Sequence, residues 1–350
     1  MSYAFDPEIA SAIPMLPDSR QLDVDLHMQR RQTAELFAQL PSVDTTGLVI
    51  EDRVIPGAIG QPDIAIRIYR PTDDCAPAAI VDVHSGGFFI GDLETDHRSN
   101  VLLARDLGVV VVSVDYRLAP ETPFPGPLED VYACLVWTVS HSDELGIDPK
   151  RIVIHGSSAG AGLCAGAALL ARDRGGPHIA FQFLNVPVLD DRLATASMKA
   201  YTDTPLWNRP LAITSWDYYL GPNRAGKDAV SIYAAPARAT DLSGLPPAYI
   251  SVMEFDPLRD EGIAYAQALL AAGVTVELHL FPGTFHGSAL LEYAAVSQRE
   301  AAERLAVLRR ALCLQSPRES HLVAADVQTD PRDVQTDSPP LTAKPRGRNE

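Results

Sequence analysis

The chain has 350 residues, 46% of them hydrophobic, with a formal net charge of -16 and a pI near 4.9. The acidity argues against a nucleic-acid or anionic-membrane partner, which would need a basic face, while the length and apolar content suffice for a large core, as one α/β domain with an insertion or as two domains. Four scattered cysteines, Cys75, Cys134, Cys164 and Cys313, have no C-x-x-C spacing, so reduced thiols are expected rather than disulfides or a metal site.

The first residues lack a basic region followed by an unbroken apolar run, and no segment approaches the ~20 apolar residues that cross a bilayer, so a soluble, cytoplasmic protein is expected. Residues 1–42 carry an amphipathic helical pattern that precedes any strand. From Gly47 the period changes to two, and Leu48, Ile50, Val54 and then Ile64, Ile66, Ile68 predict two strands around a turn. Residues 78–84 are almost uniformly apolar, as a central strand covered on both faces should be, and run into Ser85-Gly86-Gly87-Phe88-Phe89. A helix near residues 98–106, a β-branched strand at 109–114, a proline-broken loop at 120–127 and a helix over 128–141 follow.

Residues 151–170 are the organising stretch. Ile152, Val153 and Ile154 predict a buried strand, the chain turns at Gly156, and a charge-free small-residue run from Ser158 predicts a helix. Gly156-Ser157-Ser158-Ala159-Gly160 fits the G-x-S-x-G nucleophile elbow, which places a serine hydroxyl at a helix N-terminus, where free N–H groups favour developing negative charge. The five-residue pattern is weak alone. It competes with a turn capping a core helix, and with a loosened dinucleotide loop formed by Gly160-Ala161-Gly162 and Gly166 with Asp190 or Asp191 downstream.

A strand is predicted over 179–188, then an irregular aromatic insert over 190–222, and the alternation resumes with a strand at 247–253, a helix at 261–272, a strand at 274–281 and a helix at 288–312. Such alternation implies a mostly parallel, doubly wound sheet with right-handed crossovers. Beyond Gln315 the repeat Asp326-Val327-Gln328-Thr329-Asp330, echoed by Asp333-Val334-Gln335-Thr336-Asp337, has too few large apolar residues for a core and predicts disorder.

Three groups of polar residues fall after strand ends, where such sheets bind ligands. They are His84-Ser85-Gly86-Gly87, the elbow Ser158, and the pair Asp256 and His286. Their order, Ser then Asp then His, is the one an α/β-hydrolase requires. Glu254 and Asp260 compete with Asp256 as partner of the histidine, and Asp256 could instead cap the following helix. His279 lies inside a predicted strand and reads as structural, and His84 as shaping its loop.

With Asp115-Tyr116-Arg117-Leu118-Ala119-Pro120-Glu121, Asp256-Pro257-Leu258-Arg259-Asp260-Glu261 and Phe285-His286-Gly287, these segments resemble the hormone-sensitive-lipase family of α/β-hydrolases in its bacterial carboxylesterase form. The match runs from about residue 45 to 313, with two departures: Ser85 stands where the family has the first of three glycines, and Ser157 where aspartate or threonine is common.

The resemblance implies an α/β-hydrolase fold, a mostly parallel eight-stranded sheet flanked by helices with a helical cap. The expected divisions are 1–45 (cap), 46–189 (core), 190–225 (cap insert), 226–314 (core) and 315–350 (tail). It implies serine carboxylesterase action on short- to medium-chain esters by Ser158, His286 and Asp256, with an oxyanion hole of Gly86, Gly87 and Ala159 and no cofactor or metal. Phe88, Phe89, Trp207, Leu211, Trp216 and Tyr219 are candidate pocket residues, and Arg117 and Glu121 a candidate ion pair under the site. The expected partner is a small-molecule ester, with a homodimer as a further expectation and no stable membrane association. Lactones, amides, acetylated substrates, or ligand binding without turnover remain alternatives.

Overall fold

The computed structural model describes residues 3–16, 25–38, 42–73 and 75–314. Within the expected N-terminal helical region, residues 17–24 and 39–41 lie outside that range, as does the repeat-bearing stretch 315–350. Eight strands, β1 (Leu48–Ile55), β2 (Ile64–Pro71), β3 (Ala79–Val83), β4 (Val110–Asp115), β5 (Ile152–Ser157), β6 (Phe181–Asn185), β7 (Ala248–Phe255) and β8 (Val276–Phe285), form one sheet in the order β1-β2-β4-β3-β5-β6-β7-β8. β2 pairs antiparallel with both β1 and β4, and every pairing from β4 through β8 is parallel.

The helices are α1 (Pro7–Ala12), α2 (Leu26–Ala38), α3 (His97–Leu107), α4 (Gly126–Ser140), α5 (Ser142–Leu145), α6 (Ala159–Arg174), α7 (Ala196–Ala200), α8 (Arg209–Leu220), α9 (Arg259–Ala271) and α10 (Ala295–Ala311). Alternate strand residues feed two cores. Val81, Val83, Val112, Val114 and Ile154 pack with residues of α4, α6 and α9, while Ile80, Val111, Val153, Phe183 and Tyr249 pack with residues of α3 and α10. The central strands are therefore buried on both faces, which is why they are uniformly apolar rather than alternating. Asp82 and His155 break that rule side by side and pair with each other: Nδ1 of His155 lies 2.7 Å from Asp82 Oδ1, and Asn100 donates to Oδ2 at 2.8 Å.

α6 is a wedge of glycine and alanine, all of it buried from Ala159 to Ala171. A Cβ at Gly160 would lie 2.0 Å from the Val83 carbonyl oxygen, at Gly162 2.3 Å from that of Val188, and at Gly166 2.4 Å from that of Tyr233. These glycines let the helix approach neighbouring backbone, which accounts for the pattern that the dinucleotide reading used. Asp190 and Asp191, its proposed acidic partner, pair instead with Arg192 and Arg238.

β6 stops at Asn185, short of the expected 188, because Val186 adopts φ 41° and Pro187 follows. β8 runs to Phe285, past the expected 281, with a register shift opposite Met253 and Phe255. The order β4-β3-β5 reverses the direction of strand addition at β3, and the crevice at such a switch point is where open α/β sheets bind ligands.

Candidate active site

β5 delivers the chain to Ser158, which joins it to α6 with φ 55° and ψ -119°. Positive φ is disfavoured for a residue with a Cβ and costs on the order of 1–3 kcal/mol, held here by packing and hydrogen bonds on every side. The Ser158 N–H donates to the Asn185 carbonyl at 2.8 Å, and its carbonyl accepts from Gly162 at 3.1 Å and Val188 at 3.2 Å. Glycine is required on both sides: a Cβ at Gly156 would lie 2.6 Å from the Gly160 carbonyl carbon, and one at Gly160 would strike β3. Ser157 accepts from the Asn185 side-chain amide at 3.2 Å.

Ser158 Oγ lies 2.9 Å from His286 Nε2, and His286 Nδ1 lies 2.8 Å from Asp256 Oδ2. A carboxylate only accepts, so Nδ1 carries the proton and Nε2 is left to accept from the serine hydroxyl. Asp256 is fully buried, and its second oxygen accepts the Leu258 N–H at 2.8 Å. It therefore holds the histidine and caps the turn into α9 at once. The competing carboxylates are engaged elsewhere, Glu254 by the Gly283 N–H at 2.7 Å and Asp260 by the Ser197 N–H at 2.7 Å. His279 lies on β8, with its ring nitrogens against the carboxylates of Glu303 and Glu277. Phe5 packs edge-on against Phe255 and Phe285, the residues preceding Asp256 and His286, so the N-terminal segment buttresses both loops.

The loop after β3 has consecutive positive φ at Gly86 (121°), Gly87 (60°) and Phe88 (68°). A Cβ at Gly86 would lie 1.9 Å from the Ile90 carbonyl oxygen, so no other residue fits there. His84 Nδ1 donates to the Ser85 carbonyl at 2.7 Å, and the Gly86 carbonyl accepts from Phe89 at 3.1 Å and Ile90 at 2.9 Å. Because N–H and C=O point opposite ways across a peptide, these bonds aim the Gly86 and Gly87 N–H groups away from the loop's own carbonyls. Burial holds the His84 pKa below its ordinary value, so the ring is neutral. It stacks on Tyr116 at 4.1 Å. Ala159, at the first position of α6, presents its N–H at the helix end.

The six aromatic and aliphatic pocket candidates divide. Phe88 stacks on Tyr219 at 4.0 Å and tilts against Trp216 at 5.7 Å, and all three are buried in the core. Phe89 is buried with its edge on Tyr218, and Leu211 is half-buried against the core. Trp207 has its ring 5.6 Å from that of His286, and its outer edge, at 3.0 Å, and the Phe89 ring, at 2.8 Å, both crowd the place where a Gly87 Cβ would be. The expected pair of Arg117 and Glu121 does not form. Arg117 binds Asp130 through two bonds of 2.7 Å, and Glu121 takes Arg30 of α2 through two of 2.8 Å, because the proline-broken loop turns the two side chains to different neighbours. Arg30 and Ser215 both touch the loop after β3 and belong to no motif. A lone arginine on an amphipathic helix and a serine in an aromatic one carry no sequence signal.

A family model described as alpha/beta hydrolase fold matches residues 80–290. The chain is 42% identical over 272 residues to Carboxylesterase NlhH of Mycobacterium tuberculosis, covering 76% of this chain and 83% of that one. It is 32% identical over 288 residues to an Arylesterase of Saccharolobus solfataricus, covering 80% and 91%. Among solved structures it is similar to Bacterial Heroin Esterase, with a TM-score of 0.84 and 52% identity over 89% of this chain and 99% of that one.

Proposed function

The chain belongs to the α/β-hydrolases, in the branch resembling hormone-sensitive lipase, and from that premise we propose that it is a serine carboxylesterase acting on small soluble esters. The observation that carries the reading is the buried relay from Ser158 through His286 to Asp256. As Ser158 Oγ attacks the ester carbonyl, His286 Nε2 takes the hydroxyl proton, and Asp256 holds the tautomer and balances the imidazolium. The carbonyl oxygen becomes an anion facing the N–H groups of Gly86, Gly87 and Ala159, each donor worth on the order of 10²–10³ in rate. Collapse expels the alcohol, which takes the proton from His286, and water then hydrolyses the acyl-enzyme by the same route.

Helices α1, α2, α7 and α8 serve as the cap in this reading. Trp207 beside His286, with Phe89 crowding the Gly87 turn, supports a preference for short to medium acyl chains. A homodimer is part of the same reading, supported by β8, an edge strand on which Leu278 and Leu280 are exposed; light scattering of the purified protein tests it. No helix among the described residues is long and apolar enough to cross a membrane. A cytoplasmic location is the accompanying expectation, checked by cell fractionation. Hydrolysis of p-nitrophenyl acetate, butyrate, octanoate and palmitate tests the function: short esters should turn over, and equal turnover of palmitate or inactivity on all four would overturn the reading.

A further inference from the structure

Four successive carbonyls of the loop after β3 each have a donor, and the source of each donor differs. The Gly86 carbonyl is held within the loop by Phe89 and Ile90, and the Phe88 carbonyl by the Ala119 N–H at 2.9 Å. The Gly87 carbonyl is held by the Ser215 hydroxyl of α8 at 2.7 Å, and the Phe89 carbonyl by the Arg30 Nε of α2 at 2.7 Å. Ser215 is fully buried. Arg30 also donates to the Ala119 carbonyl at 2.9 Å and is fixed from the other side by Glu121. Two helices far apart in the chain therefore converge on one strained turn.

That turn is not held by its own hydrogen bonds alone. Three consecutive positive φ angles, the last at a phenylalanine, are a conformation the chain leaves unless its surroundings impose it. The Gly87 N–H shares its peptide with the Gly86 carbonyl, which Phe89 and Ile90 hold, and the peptide on the other side of the Gly87 Cα carries the Gly87 carbonyl, which Ser215 holds. With both flanking peptides pinned, Gly87 is kept from turning out of its positive φ.

We propose that Ser215 and Arg30 are positioning residues through which the cap clamps the oxyanion loop, so that the hole is complete only while α2 and α8 are seated on it. The inference rests on the esterase reading and adds a coupling to it: cap closure assembles the transition-state site as well as covering it. Neither side chain touches the reacting atoms. Loss of either is accordingly felt where negative charge develops and not in binding of the neutral ester.

The test measures kcat and KM for p-nitrophenyl butyrate together with inhibition by a matched pair of ketones, in wild type, Ser215→Ala and Arg30→Met. The trifluoromethyl ketone adds Ser158 to become an oxyanion mimic, and the corresponding methyl ketone stays neutral. Rates are normalised to sites titrated with diethyl p-nitrophenyl phosphate, so a misfolded fraction does not count as a lower rate. Each variant should lose about 10- to 50-fold in kcat with KM within about 2-fold, following the loss of one hydrogen bond to a buried carbonyl. The trifluoromethyl ketone should weaken by the same factor while the methyl ketone holds. Equal weakening of both ketones, or unchanged kcat per titrated site in both variants, would overturn the clamp. Inactivity of the wild type would overturn the esterase reading instead. Arg30→Met, on a part-exposed side chain, carries the test if Ser215→Ala does not fold.

Discussion

Gly160→Ala adds a single methyl group at the most crowded point of the elbow. Its Cβ would lie 2.0 Å from the Val83 carbonyl oxygen and 2.5 Å from that of His84, whereas real Cβ contacts essentially never fall below 3.0 Å. The backbones of α6 and β3 must therefore separate by at least 3.0 − 2.0 = 1.0 Å. Both are main chain in a packed core, so no side chain can swing aside, and overpacking of this kind costs about 3 kcal/mol, the upper end of its usual range. Ser158 precedes Gly160 by two residues and moves with the helix start. Its 2.9 Å contact with His286 then opens toward 3.9 Å, beyond hydrogen-bond reach. A misplacement of about 1 Å at a reacting group costs about 10²-fold in rate. Thermal unfolding should fall by roughly 4–5 °C, and kcat on p-nitrophenyl acetate per titrated site by about 10²-fold. Gly175→Ala, at the other end of α6, is the control: its φ of 59° strains an alanine, yet nothing lies within 4 Å of the new Cβ. It should cost about 1 kcal/mol of stability and leave kcat within 2-fold. Wild-type kcat and melting temperature in Gly160→Ala would refute the packing argument.

Asp256→Asn should lower kcat by about 10⁴ by presenting the wrong histidine tautomer, whereas Glu254→Gln, whose carboxylate serves Gly283, should stay within 10-fold when rates are compared. Trp207→Ala should raise octanoate turnover relative to acetate, read as a ratio of kcat/KM values, by opening the space beside Gly87 and His286. Asp115, crowded by burial and by Asp92 and Asp130, has its pKa pushed up to about 6 from an ordinary 3.8. The folded chain then holds a proton that the unfolded chain releases, so this contribution to stability is complete below pH 3.8 and is lost as pH rises through about 6. Urea unfolding at pH 4.5 and 7.5 should show Asp115→Asn removing on the order of 1 kcal/mol of that decline after solvent screening, and identical pH dependence in both proteins would count against it.

The alternation of strands and helices and the eight-stranded sheet were legible in sequence, because they rest on local signals, β-branched runs and glycine-flanked turns, whereas the expectation that Ser158, Asp256 and His286 meet rested on their chain order past strand ends and on the family motifs. Choosing Asp256 over Glu254 and Asp260 needed the family motif, since the three lie close together in sequence, Glu254 on β7 and Asp260 on α9, and only the path out of β7 decides which faces His286. What stayed hidden depends on tertiary contact. Arg117 has carboxylates at several distances along the chain, and nothing in its spacing favours Asp130 over Glu121. Ser215 is an ordinary polar residue in an aromatic helix until the fold brings Gly87 beneath it. Aromatic residues in the insert read equally as pocket or core, and packing resolved Trp216 and Tyr219 into one buried cluster with Phe88. The glycines of α6 mimicked a phosphate loop because close approach of backbone has one sequence signature whatever it approaches.

The most direct test of the central claim is the mass of the protein after treatment with diethyl p-nitrophenyl phosphate, followed beside ester hydrolysis. A nucleophilic Ser158 predicts one diethylphosphoryl adduct per chain, mapped to Ser158 by peptide sequencing, accumulating in step with the loss of p-nitrophenyl butyrate hydrolysis and absent from Ser158→Ala. Full hydrolytic activity in the labelled protein, or in Ser158→Ala, would contradict the account.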